Sequence, residues 1–226
     1  MGLGPGLENS IKRSTDHGRR QADLIIEATF RVLSKEGYGG ASLQRIADEA
    51  GVQKRMVSYY FGSRKALLRN LVARVGDRLM EQLSSVSEAG TSPAEAVEAL
   101  FDHLWTQVKE DPQPYAVYFG LVAEAVTDGD LRLSVNAIGD RYRDLIRHRI
   151  RSSAAPDSTS LSEPSLVIAI SAAVQGLTLE LLMRGETEEL RQAVVDFKRW
   201  LRSALTAAPE LEADRELDCD PVEPLG

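Results

Sequence analysis

The sequence predicts an all-α protein of two domains, and three observations carry that prediction. Apolar residues recur at helical spacing through most of the chain, no stretch shows sustained apolar–polar alternation, and glycines and prolines fall at plausible helix ends. The length of 226 residues allows a small domain plus a larger one, and 43% hydrophobic with 27% charged residues is a soluble, globular balance.

Met1 to Gly18 is glycine-rich and then polar, so residues 1–18 are expected to be a disordered arm. The first helix is expected from about Arg19 to Glu36, with Ile25, Ala28, Thr29, Val32 and Leu33 on one apolar stripe and Gly37 as the left-handed residue that ends it. Arg19 and Arg20 either reach phosphates or solvate the helix start.

The stretch from Ser42 to Phe61 organises the rest. Ile46, Ala47 and Ala50 keep helical spacing, Gly51 breaks the run, and Val52, Met56 or Val57, and Tyr60 resume it. Two short helices joined by a glycine-containing turn make a helix-turn-helix. Ser42 is placed to cap the first helix, with Gln44 and Arg45 on its outward side. Gln53, Lys54 and Arg55 fall in the first turn of the second helix, where a recognition helix meets base edges and phosphates.

Ser42 to Leu68 resembles the DNA-binding segment of TetR-family transcriptional regulators. The shared pieces are the Ile-Ala-x-x-Ala-Gly-Val core (Ile46 to Val52), Tyr-Tyr-Phe closing the recognition helix (Tyr59 to Phe61), and Gly-Ser-Arg-Lys-Ala-Leu-Leu (Gly62 to Leu68) opening the next helix. The helix from Ile25 to Tyr38 is also similar to the family pattern. Gln53 stands where the family usually has Ser or Thr, Ser58 where it often has Tyr, and Arg55 where Gly is common. The resemblance implies groove contacts from Gln44, Lys54, Arg55, Met56, Ser58 and Tyr59. It also implies phosphate contacts from Ser42, Tyr60, Arg64 and Lys65, helped by backbone N–H groups at the following helix start. Phe61 reads as core.

Charge agrees with that division. Residues 1–78 hold 14 Lys or Arg against 8 Asp or Glu, a balance of +6, while the remainder holds 13 against 26, a balance of −13. Residues 19–78 are therefore expected to be the DNA-binding domain on an acidic body.

Ser63 is placed to cap a long fourth helix whose stripe is Leu67, Leu68, Leu71, Val72, Val75, Leu79 and Leu83. Its first half is expected on the DNA head and its second half in the C-terminal domain, with Gly76 between them as the place to yield. After a polar break at Glu88 to Thr91, Ser92-Pro-Ala-Glu95 carries a capping box for a fifth helix that buries Val97, Phe101, Leu104, Trp105 and Val108. Asp111-Pro112 starts a sixth helix with Tyr115, Tyr118, Phe119, Val122 and Val126. Asp128 starts a seventh, burying Leu131, Val135, Ile138, Tyr142, Leu145 and Ile150 beneath an arginine-rich outer face. A loop at Ala154 to Leu161 precedes an eighth helix from about Glu163 to Arg184, ended by Gly185. Thr187 caps a ninth helix with the stripe Leu190, Val194, Phe197, Leu201 and Leu205, and Pro209 stops it. Residues 79–208 form the expected ligand-binding and dimerisation domain, and residues 209–226 an acidic disordered tail.

Leu166 to Met183 approaches membrane-spanning length, but Ser171, Gln175 and Glu180 within it favour a buried interface helix. No signal-peptide pattern appears, which fits a cytoplasmic protein. The single cysteine, Cys219, excludes an internal disulfide. No phosphate loop, dinucleotide fingerprint, metalloprotease helix or nucleophile elbow occurs, and His17, His103 and His148 are too scattered for a local zinc motif. No enzyme activity, cofactor or metal is expected.

The resemblance implies a helical bundle around a small-molecule pocket. Trp105, Tyr115, Tyr118, Phe119, Tyr142 and Met183 are candidates to line it, with His103, Glu124 and Gln175 as polar contacts; for any one aromatic taken singly, ordinary core at helical spacing is the favoured reading. The expected protein is a homodimeric repressor, paired through its eighth and ninth helices, released from a palindromic double-stranded operator by a small effector and with no membrane partner. A DNA-organising protein with the same head and no effector, and a helical-bundle enzyme, remain as alternatives.

Overall fold

The computed structural model describes residues 5–86, 92–152 and 162–206, with side chains from His17 onward and through Leu205. Residues 1–4 of the expected arm, the break at Glu88 to Thr91, the loop at Ala154 to Leu161, Pro209, Cys219 and the acidic tail lie outside the described residues. Among the described residues there are nine helices and no strand. They are α1 (Pro5–Gly40), α2 (Leu43–Ala50), α3 (Lys54–Phe61), α4 (Arg64–Ser84), α5 (Pro93–Glu110), α6 (Gln113–Ala125), α7 (Gly129–Ser152), α8 (Glu163–Arg184) and α9 (Glu188–Thr206).

Local chemistry sets most of these boundaries. Ser42, Ser63 and Ser92 have extended backbones and accept from Arg45, Ala66 and Glu95 N–H respectively, so each hydroxyl satisfies a donor that its helix leaves over. At α5 the box is complete: Ser92 N–H donates to Glu95 Oε2 at 3.1 Å, and Glu95 N–H to Ser92 Oγ at 3.3 Å. Gly37 has φ 67°, so α1 is interrupted at the residue where an end is expected, although helical backbone resumes to Gly40. The upstream end differs. Helical backbone begins at Pro5, within the stretch expected to be a disordered arm, and proline suits a first helical position because its missing N–H has no partner there anyway.

The expected stripes form one continuous core. Ile25, Ala28, Thr29 and Val32 are fully buried on α1, and on α4 the whole expected stripe from Leu67 to Leu83 is buried, joined by Gly76 and Met80. Two buried hydroxyls are satisfied locally, Thr29 Oγ1 donating to Ile25 O and Ser171 Oγ to Val167 O, both at 2.7 Å. Three expectations fail on helix phase. Val126, expected in the core, is 69% exposed just past the end of α6. Ile146 takes the deepest place on α7. Arg149, assigned to an outer face, is 2% exposed and donates through Nη2 to Val86 O at 2.7 Å, tying α7 to the chain leaving α4.

Helices α1 to α4 pack as a head. In the body α7 lies against α4, α5, α6 and α8, while α9 covers α5 and α8. α4 is not the only connection. α1 packs directly on α6, and Lys65 and Arg69 at the start of α4 face Asp128 and Asp130 at the α6–α7 turn. α4 runs unbroken through Gly76, which is buried against α7, so the glycine serves close packing rather than a bend.

Candidate nucleic-acid interface and ligand cavity

The helix-turn-helix is held from beneath. Ile46 and Ala47 of α2 and Val57 of α3 are fully buried, and Gly51 supplies the left-handed turn (φ 67°, ψ 31°) with its N–H donating to Ala47 and Asp48 carbonyls. With Val57 inward, helical spacing puts Arg55, Ser58 and Tyr59 on the outward side of α3, and Lys54, in its first turn, is open to solvent beside them. All four are exposed, Tyr59 by 79%, and no hydrogen bond or ion pair holds their side chains among the described residues. Met56 and Tyr60 are half-buried, Tyr60 meeting Tyr59 edge-on at 5.2 Å.

The remaining expected DNA residues already have protein partners. Ser42 Oγ is the α2 cap, and Gln44 Nε2 donates to Asp48 Oδ1 at 2.8 Å. Arg64, expected at phosphate, faces inward. Its Nε donates to Ala41 O and its Nη2 to Tyr38 O, both at 2.6 Å, and the guanidinium lies 4.1 Å from the centre of the Tyr38 ring. That fork clamps the α1–α2 connection to α4. Lys65 Nζ lies 3.0 Å from Asp128 Oδ2, a pairing that raises the lysine pKa and lowers the aspartate's below its ordinary 3.8. Gln53 is exposed immediately before α3 and caps nothing with its side chain. Its position in the recognition turn was the signal that it, too, faces outward.

In the body, a cavity of about 70 Å³ lies between α4, α5, α6, α7 and α8. α4 and α5 give it Leu79, Met80, Leu83 and Leu104; α6 gives Tyr115, Tyr118 and Phe119. α7 adds Ile138, Gly139 and Tyr142, and α8 adds Val174, Gln175 and Thr178. Of the candidate lining residues, Tyr115, Tyr118, Phe119, Tyr142 and Gln175 share this wall. His103, Trp105 and Glu124 are not in its wall, and Met183 is 74% exposed. Trp105 instead stacks on Phe101 (5.5 Å), which meets Phe197 (5.1 Å), which stacks on Trp200 (5.9 Å), an aromatic run joining α5 to α9. Met80, Leu104 and Thr178 were missed because only the crossing of α4, α5 and α8 shows which of their faces meet. Burial pushes the Tyr115 phenol up to about 12 and raises Tyr118 and Tyr142 as well, so all three are neutral at physiological pH.

Two other hollows are larger. One of about 350 Å³ runs between α1 and α4 beside Pro114. Three of its charges are already matched, Arg74 with Asp23, Arg78 with Asp111 and Arg141 with Asp77. The other, about 670 Å³, is an open groove on α8 and α9 lined by Ala169, Ala173, Leu177, Phe197 and Trp200. Around it Ile168, Leu179, Met183 and Val195 are exposed. α8 is the one described helix long and apolar enough to cross a membrane, with mean hydropathy 1.9 and 39% of that window buried. Among the described residues no group of three or more His, Cys, Asp or Glu converges as a metal site would require.

Comparison with known proteins adds to this geometry. Residues 25–71 match the profile of bacterial regulatory proteins of the tetR family, and residues 93–206 match that of the BetI-type transcriptional repressor C-terminal domain. The chain is 24% identical over 135 residues to the uncharacterized HTH-type transcriptional regulator YuxN of Bacillus subtilis, covering 55% of this chain and 46% of that protein. It thus spans about half the length of that curated relative. A TetR transcription regulator from Haloarcula marismortui has the same fold (TM-score 0.70, 21% identity, 82% of this chain and 98% of that one). So does the multidrug binding protein EbrR, complexed with imidazole (TM-score 0.64, 20% identity, 84% and 97%).

Proposed function

The chain belongs to the TetR family of bacterial regulatory proteins, and from that premise we propose that it is a sequence-specific DNA-binding transcriptional regulator, a cytoplasmic repressor that leaves a palindromic operator when a small molecule enters its C-terminal bundle. The observation that carries the reading is on α3. Lys54, Arg55, Ser58 and Tyr59 share one exposed face on which no hydrogen bond or ion pair holds their side chains among the described residues. Lys and Arg bond guanine edges and phosphates, and the surrounding charge balance of +6 in residues 1–78 favours an anionic partner.

A second copy of the chain best covers the α8–α9 groove. Ile168, Leu179, Met183, Val195 and Trp200 leave apolar surface that a two-fold, four-helix interface would bury. The charged outer positions of α9, such as Arg191 and Arg199 paired with Glu188 and Asp196, suit water better than lipid. Two recognition helices related this way would read half-sites about 34–36 Å apart, or a multiple of that spacing.

The cavity beneath α4 supports an effector, as does the likeness to EbrR, a multidrug binding protein seen with imidazole. Its size favours a second reading. At about 70 Å³ it is well below the ~300–1,000 Å³ of ordinary ligand pockets, as expected of a DNA-organising protein with no effector. Its unpaired polar lining argues for the effector. Sequencing the genomic fragments retained by the chain tests the function directly. Enrichment of a palindrome is expected, and equal retention of random DNA would overturn sequence-specific regulation.

A further inference from the structure

The tyrosine-lined cavity also indicates what it holds, provided that it is the effector pocket proposed above. We propose that the effector is an uncharged, mainly apolar molecule with oxygen or nitrogen atoms that hydrogen-bond to Tyr115, Tyr118, Tyr142, Gln175 and Thr178.

Two observations carry this. First, none of the described residues lining the cavity is Asp, Glu, Lys, Arg or His; outside the five polar residues the wall is aliphatic, Phe119 and Gly139. An ion entering it would lose its hydration and meet no charged side chain in the wall itself. Arg143, next to Tyr142 along α7, is outside the wall; its charge acts on the Tyr118 phenol, against the stronger effect of burial, and its Nη1 donates to Asp140 Oδ1 at 3.0 Å, which offsets that charge. The aromatic rings would attract a cation, but phenols held neutral by burial offer it no formal negative charge in exchange for its water.

Second, the hydroxyls of Tyr115, Tyr118, Tyr142 and Thr178 and the Gln175 amide have no hydrogen-bond partner among the described residues. Each of these groups both donates and accepts, so together they match neutral donors and acceptors alike. Leaving them unmatched behind a dry ligand is unfavourable, so the occupant carries polar atoms of its own. The present volume of about 70 Å³ is room for roughly two waters at ~30 Å³ each, and a ligand must displace side chains to enter.

Ligand-observed NMR titration of the full chain with benzyl alcohol, benzoate, benzyltrimethylammonium and toluene tests the class with one ring and several charges. Benzyl alcohol is expected to bind at least tenfold more tightly than either ion. Tyr142→Phe or Thr178→Val should weaken benzyl alcohol roughly three- to tenfold and leave toluene unchanged. Val174→Phe, which fills the cavity, should abolish both neutral ligands; Leu104→Phe does the same from another wall should the first variant not fold. A charged probe that binds as tightly as benzyl alcohol, and is lost on filling the cavity, overturns the neutral class and leaves the pocket standing. So does an indifference of benzyl alcohol to every hydroxyl deletion. If none of the four probes binds a chain that still binds DNA, the effector-pocket reading itself fails.

Discussion

A methyl group built on Gly76 would stand 2.5 Å from Cγ1 of Ile138 and closer still to its Cδ1, so α4 and α7 touch where only glycine fits. Ile138 also lines the tyrosine cavity. One side chain therefore lies between the space proposed for a ligand and the backbone of the helix that carries the DNA head. A ligand pressing on Ile138 meets α4 with nothing between them. The glycine looks like a hinge in the sequence and is a contact surface in the fold.

Gly76→Ala should accordingly lower the melting temperature. Overpacking costs about 1–3 kcal/mol, offset in part by about 1 kcal/mol of better helix propensity. Combined with Ile138→Ala, itself destabilising because Ile138 is buried, the loss should be less than the sum of the two, because the sites share one contact, with a coupling of about 0.5–3 kcal/mol by double-mutant cycle. A Gly76→Ala variant more stable than the wild type would refute the contact.

Arg64 and Lys54 should fail differently. Arg64→Ala removes two charge-assisted bonds to Tyr38 and Ala41 carbonyls, each worth about 1.5–3 kcal/mol, so the head should melt early and lose every DNA sequence together. Lys54→Ala should leave the melting curve unchanged and weaken DNA alone. Thermal melts beside binding isotherms separate the two; an Arg64→Ala head with wild-type stability would contradict the clamp.

Lys65 is held by Asp128 at the α6–α7 turn, and DNA phosphate must compete for it. Asp128→Ala should release the lysine and steepen the dependence of log K on log salt by about one per protomer. The pair also has a pH signature. Asp128 is depressed below its ordinary 3.8, so its stabilising effect is complete at neutral pH and is lost as pH falls below about 4 through the folded-state value. An unchanged salt slope in Asp128→Ala would show that freeing Lys65 adds no phosphate contact.

Much of this was readable locally. Ser42, Ser63 and Ser92 cap helices through neighbours three residues away, and the α4 stripe from Leu67 to Leu83 follows from periodicity. Legibility ended where geometry becomes tertiary. Arg64 beside Lys65 looks like a phosphate-binding pair, because only the approach of Tyr38 and Ala41 turns it inward. Trp105 has the composition of a pocket residue, yet α5 aims it at the Phe101–Phe197 run. The cavity gathers side chains from five helices, and no single periodicity encodes their crossing.

Alkaline pH reports on the cavity. Burial raises Tyr115 from 10.0 to about 12, so the native state holds a proton that the unfolded chain releases earlier. Its contribution is full below pH 10 and should fade between pH 10 and about 12. Denaturant unfolding in that range should show a shallower loss of stability in Tyr115→Phe than in wild type; parallel curves would place the phenol in water.

If α3 reads base edges, losing one of its side chains must change which bases are preferred. Binding of wild type and Arg55→Ala is compared across every single-base variant of the operator recovered from genomic DNA. Arg55→Ala is expected to relax preference at one base pair in each half-site, symmetric about the operator centre, by about 1–3 kcal/mol. A loss equal at all positions and on random DNA would contradict it.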